Sequence, residues 1–159
     1  LKKREIVSLY NTLFTIKQDL IQYKKEAPIK FKYGVTKLLN ELQVEINPLV
    51  EIETENLKTI EKYREKEREL LKEHGKPVEG KEGMVQIPEE SRELVDKKLK
   101  EYQETFKDDI EVFTQKSKEY NTILDEEVDI ILYKIHSDYL PEWLGMETLD
   151  LFTKFILLD

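Results

Sequence analysis

Half of the glycine and proline in this chain falls in one short stretch, where Gly75, Pro77, Gly80, Gly83 and Pro88 lie between His74 and Glu90. Long, heavily charged segments flank it, with apolar residues at helical spacing and few breakers. A breaker-rich stretch between two breaker-poor ones reads as two long helices folded back through a tip. The predicted fold is therefore mainly α. A long antiparallel helical hairpin with a Gly/Pro tip packs with an N-terminal helix, one short C-terminal strand and a C-terminal helix. Charged residues make up 38% and hydrophobic residues 39% of the chain. Paired helices account for that balance, because each has a narrow buried stripe and a broad wet face. Fifteen aromatics argue against disorder. At 159 residues the expectation is a single elongated domain over 1–159.

Apolar steps of three and four place the helices. Ile6, Leu9, Leu13, Ile16, Leu20 and Tyr23 predict a first helix over 4–24, ended before Pro28. Val35, Leu38, Leu42, Ile46 and Leu49, then Leu57, Ile60, Tyr63 and Leu70, predict a second helix over 29–74, kinked or split at Pro48. Glu61–Arg64, Glu65–Arg68 and Glu69–Lys72 support its exposed face. The third helix, 91–125, carries the clearest seam: Val95, Leu99, Tyr102, Phe106, Ile110, Phe113, Ser117, Tyr120 and Leu124. Its mean step is near 3.6, which predicts a nearly straight helix with little supercoil. In the tip, 75–90, Met84–Ile87 alternates like a strand and Lys76–Val78 can pair with it. A small β-hairpin and a disordered tip are both open readings.

Residues 128–135, Val-Asp-Ile-Ile-Leu-Tyr-Lys-Ile, are β-branched and aromatic, and predict a strand. The numbering starts without Met, so residues leading into Leu1 are the expected partner, with Val85–Ile87 as the other. A last helix over 147–158 is apolar around much of its circumference. Leu151, Phe152, Phe155 and Leu158 are accordingly the candidate interface of a homo-oligomer.

Charge is uneven. Residues 1–40 hold nine Lys/Arg against three Asp/Glu, and residues 41–159 hold seventeen against thirty-one. The basic part centres on Tyr23, Lys24, Lys25, Lys30, Phe31, Lys32, Tyr33 and Lys37, around Pro28. Ammonium groups interleaved with aromatics suit a small anionic ligand such as a nucleotide. The plainer account is a helix–helix corner with core aromatics and solvated lysines. The acidic remainder would repel a long nucleic acid. Asp125, Glu126, Glu127 and Asp129 form an acidic cluster that reads as a hard-cation or acid–base site, or as solvated charge at an element boundary. His74 and His136, the only histidines, are far apart, and there is no cysteine, so no metal site and no disulfide are expected. No phosphate-binding loop, nucleophile elbow or metalloprotease motif occurs. The reading is a non-enzymatic protein without cofactor, bound to a protein partner or a small anion. No apolar run approaches a membrane span, and a cytoplasmic location is expected.

Several segments, in order along nearly the whole chain, resemble a family of small uncharacterised proteins of phages and prophages of Gram-positive bacteria. They are Leu9-Tyr10-x-x-Leu13, Pro28-x-Lys30-Phe31-x-Tyr33, Tyr63-Arg64-Glu65-Lys66-Glu67-Arg68-Glu69-Leu70, Gly75-Lys76-Pro77-Val78, Leu124-Asp125-Glu126-Glu127-Val128 and Leu140-Pro141. The resemblance implies a viral gene product acting inside a bacterium, and it brings no catalytic residue with it.

Overall fold

In the computed structural model, which describes residues 1–158, most of the chain is helical and the few strands are two residues long. The helices are α1 (Lys3–Gln22), α2 (Ile29–Thr59), α3 (Glu61–His74), α4 (Glu89–Thr105), α5 (Lys107–Leu124) and α6 (Met146–Phe155). The strands are β1 (Lys76–Pro77), β2 (Val85–Gln86), β3 (Ile135–His136) and β4 (Leu157–Leu158). The mainly helical fold with its hairpin is the one read from the sequence. The chain divides into two compact units, Leu1–Glu51 with Asn121–Asp159, and Ile52–Tyr120. It passes from the first to the second within α2 and returns within α5.

The first unit holds the core. Ile6, Leu9, Leu13 and Ile16 of α1 meet Phe31, Val35, Leu38, Leu39, Leu42 and Ile46 of α2. Leu132, Ile135, Leu144, Phe152 and Ile156 complete the cluster from the C-terminal segment. The carboxylate of Glu5 accepts the Lys2 amide at 3.0 Å and so satisfies one unpaired N–H at the start of α1. α1 ends at Gln22, two residues before the predicted end, because Lys24 adopts a left-handed backbone with φ of 49°. Pro28 then starts α2, its carbonyl accepting from the Lys32 amide at 3.1 Å.

α2 does not end at Pro48. Helical geometry continues past this exposed residue. Proline removes the bond to the Val44 carbonyl, and Val44 is itself exposed, so water can take that place. The interruption falls at Ile60, where φ is −111° and ψ is 17°. The third helix is interrupted in the same way at Phe106, with φ −104° and ψ 19°. Tyr63 and Phe106 meet across the hairpin, ring centroids 6.0 Å apart.

In this second unit the predicted seam faces inward, but of its residues only Val95 is fully buried. Leu70 and Ile60 answer it from the other arm, and Asn56 Nδ2 donates to the Lys116 carbonyl at 3.5 Å. The tip is the small β-hairpin: Lys76 pairs with Gln86 and Pro77 with Val85, antiparallel. Gly80 and Gly83 make the turn with φ of 77° and 78°, values that strain any residue bearing a Cβ.

Two expectations for the C-terminal segment are corrected. The strand over 128–135 shrinks to Ile135–His136, paired in parallel with Leu157–Leu158. Its neighbours are largely helices, whose backbone groups are already bonded, so no continuous ladder can form. The Tyr133 amide goes instead to Glu41 Oε2 at 2.9 Å. Ile131 is 93% exposed while Leu132 is buried. At the other end, Lys2 bridges Glu127 antiparallel, and the Val128 amide donates to the Leu1 carbonyl at 2.7 Å. The last helix is correspondingly shorter than 147–158. It closes at Phe155 so that Leu157 and Leu158 can extend beside β3.

Candidate functional site

The basic corner is built on two turns. After α1, Asp19 gathers the chain: its carbonyl accepts from the Tyr23 amide at 3.2 Å, and its carboxylate takes the Lys25 ammonium at 2.6 Å. Opposite, Pro141 opens a turn closed by the Leu144 amide on the Pro141 carbonyl at 3.3 Å. Trp143 joins the two, its Nε1 donating to the Glu26 carbonyl at 2.7 Å. Ala27, Pro28, Leu140, Pro141 and Trp143, with Glu26, Lys32 and Glu142, line an open cleft of about 660 Å³.

Three of the predicted lysines stand on three aromatic rings of the C-terminal segment. Lys25 lies 4.8 Å from the Trp143 ring, Lys30 4.6 Å from Tyr139 and Lys37 4.6 Å from Tyr133. As the lysine number rises the aromatic number falls, so the two segments run antiparallel. Lys30 also donates to the Tyr139 hydroxyl at 2.7 Å. That bond, and the attraction of the phenol oxygen, hold the ammonium above the ordinary lysine range. Tyr33 meets Tyr133 edge-on at 5.9 Å and remains exposed, as do Tyr23, Lys24 and Lys32. Phe31 is corrected from a ligand contact to a core residue. It is 0% exposed between Trp143 and Phe152, so no ligand can reach it. Of the eight predicted residues only Lys32 lines the cleft.

Sequence reading missed Tyr133, Tyr139 and Trp143. The available signal was three aromatics within eleven residues of a segment that also breaks helical periodicity.

The acidic cluster is partly neutralised from within. Glu126 takes the Lys3 ammonium at 2.6 Å, and Asp125 takes the Arg4 guanidinium at 3.0 Å. That hydrogen bond from Arg4 holds the Asp125 carboxyl below the usual carboxylate range. Among the described residues no three His, Asp or Glu side chains are grouped to hold a metal ion. His136 Nδ1 accepts from the Asp138 amide at 3.3 Å and caps a single 3-10 turn over Ser137–Tyr139. His74, ending α3, lies with its Nε2 3.7 Å from Glu73. In the predicted oligomer interface Phe152 is wholly inside the core, which leaves Leu151 and Phe155 half-buried and Leu158 exposed.

No family model, curated protein or solved structure matches this chain. Among the described residues no helix is long and apolar enough to cross a membrane.

Proposed function

We propose that this chain is a non-enzymatic interaction protein of phage origin that binds another protein at the Trp143 cleft, inside the bacterial host. The carrying observation is the lining of that cleft: two prolines, Leu140 and the Trp143 ring, with charges of both signs from Lys32, Glu26 and Glu142. An apolar concavity with mixed charge suits a protein side chain and its charged neighbours better than it suits an anion alone. Phage origin, and a role in host takeover or counter-defence, rest on the resemblance carried by Pro28-x-Lys30-Phe31-x-Tyr33 and its companion segments.

Trp143 is the only tryptophan, so its emission reports on cleft occupancy. Proteins captured from phage-infected cells by the wild-type chain and by a Lys32→Glu variant are compared, and those lost with the variant are purified and titrated. The expected result is a saturable change in Trp143 emission that weakens in the variant. Equal capture by both chains, or no saturable change, sinks the reading.

A second reading, a site for a nucleotide-like anion, is favoured by Lys30 and Lys37. They stand about two helical turns apart on one face of α2, each against an aromatic ring. Calorimetry against a nucleotide panel decides it: binding heat lost on Lys30→Ala and Lys37→Ala would place this reading first.

A further inference from the structure

The outer face of α4 and α5 carries a pattern that the hairpin does not use. Leu94 and Val112 are the two large apolar residues of these helices left well exposed, at 46% and 47%. They lie about five helical turns apart. Between them the stripe Leu94, Lys98, Glu101, Thr105, Asp108, Val112 advances by alternating steps of four and three, the spacing of one side of a helix–helix contact. The interruption at Phe106 does not throw the stripe out of phase. The Phe106 amide still bonds the Tyr102 carbonyl, and the Ile110 amide bonds the Phe106 carbonyl, both at 2.9 Å.

Charge along the stripe is ordered, with Lys97 and Lys98 near one end and Asp108 and Asp109 near the other. Among the described residues none of these four forms an ion pair within the chain. The arrangement is self-complementary in one orientation only. Parallel copies would set lysine against lysine and aspartate against aspartate. Antiparallel copies related by a two-fold at the height of Gln103 bring Leu94 toward Val112, Lys97 toward Asp108 and Lys98 toward Asp109, on both sides of the axis.

We propose that this face is a contact with a second copy of the chain, α4 and α5 lying antiparallel on their counterparts about Gln103. Two-fold contacts present the same surface on both copies, and the two ends of this stripe meet that requirement, with Glu101 opposite Thr105 between them. Apolar anchors are few and the paired charges are wet, so the dimer dissociates on dilution and weakens as salt screens it. The contact lies away from the Trp143 cleft in sequence and is independent of what that cleft binds.

Charge exchange tests it by sedimentation equilibrium of the full chain at low salt. The wild type is expected to be a dimer. Lys97→Glu with Lys98→Glu, and separately Asp108→Lys with Asp109→Lys, are each expected to give monomers. An equimolar mixture of the two variants is expected to recover the dimer mass, as is a chain carrying all four substitutions. That recovery also shows that the single-sign variants are folded. The chain has no cysteine. Oxidation should therefore cross-link a Leu94→Cys chain to a Val112→Cys chain, but neither to itself. A wild type that stays monomeric at every concentration, variants that remain dimeric, a mixture that stays monomeric, or cross-links formed only within each cysteine variant alone would overturn the proposal.

Discussion

The two units of this chain use the same helical grammar to opposite ends. In the first, fifteen buried apolar residues from α1, α2 and the C-terminal segment form one cluster. In the second, Ile60, Leu70 and Val95 are the buried apolar residues, and α5 contributes none. The difference does not lie in periodicity, because the 95–124 seam is the most regular in the sequence. It lies in the number of layers. A third layer closes over α1 and α2, whereas each arm of the hairpin has only the other, and two helices cover a narrow stripe of each. Regular patterning thus specifies which face turns inward, and the neighbours decide how dry that face becomes.

Removing the centre of the first unit should have the largest effect. Phe31→Ala opens a void between Trp143 and Phe152, and is expected to cost about 3–5 kcal/mol in denaturant unfolding. Hydrogen exchange in α4 and α5 should change little. Equal loss of protection in both units would break the comparison, because the chain would then unfold as one cooperative body. In the hairpin, Leu70 is 1% exposed, and Leu70→Ala should cost about 2–3 kcal/mol locally. Faster exchange confined to α3 and α4 is the expected readout, and spread into α1 would contradict it.

Gly34 sharpens the account of the third layer. A Cβ there would lie 2.7 Å from Ile135 Cγ1 and 3.3 Å from the Tyr133 ring. Ile135 is buried and has no room to yield. Gly34→Ala gains about 1 kcal/mol of helix propensity, but overpacking costs about 1–3 kcal/mol. A small net loss is expected, seen as a lower thermal midpoint, and a stabilised variant would show that this layer is loose.

The smallest effect concerns pH and again belongs to the first unit. Hydrogen bonds from Lys154 and the Lys2 amide hold Glu5 below the usual carboxylate range, as Arg4 does for Asp125. Carboxyls depressed in the folded state stabilise it above their unfolded values near pH 4, and that support is lost as pH falls through the folded ones. Stability should therefore decline modestly below about pH 4. Glu5→Gln and Asp125→Asn together should flatten that part of the profile.

What the sequence made legible was local. The inward face of the seam from Val95 to Leu124 and the place where the chain reverses are written in spacing and residue type, whereas the break in that helix and the form of the tip are not. The breaks at Ile60 and Phe106 carry neither Gly nor Pro, whereas Pro48, which does look like a breaker, sits where water can replace the lost bond. Val128–Ile135 misled because β-branched residues record an extended, partly buried chain whether or not a strand lies beside it. The lysines of the corner were legible as a cluster. Their partners Tyr133, Tyr139 and Trp143 were not, since more than ninety residues separate each from its lysine, and only the fold brings them together.

The clamp between Leu1–Arg4 and Asp125–Val128 has a consequence for synthesis. The Leu1 nitrogen donates to the Val128 carbonyl, a contact across 127 positions. When α1 and α2 leave the ribosome, the segment that covers them has not been made. At about 5–20 residues per second, their apolar face waits on the order of several seconds. The hairpin, made of sequence neighbours, can fold during that interval. The nascent chain therefore carries a finished arm ahead of an unfinished body, and the window for chaperone capture or self-association closes only when Leu132, Ile135 and Phe152 arrive.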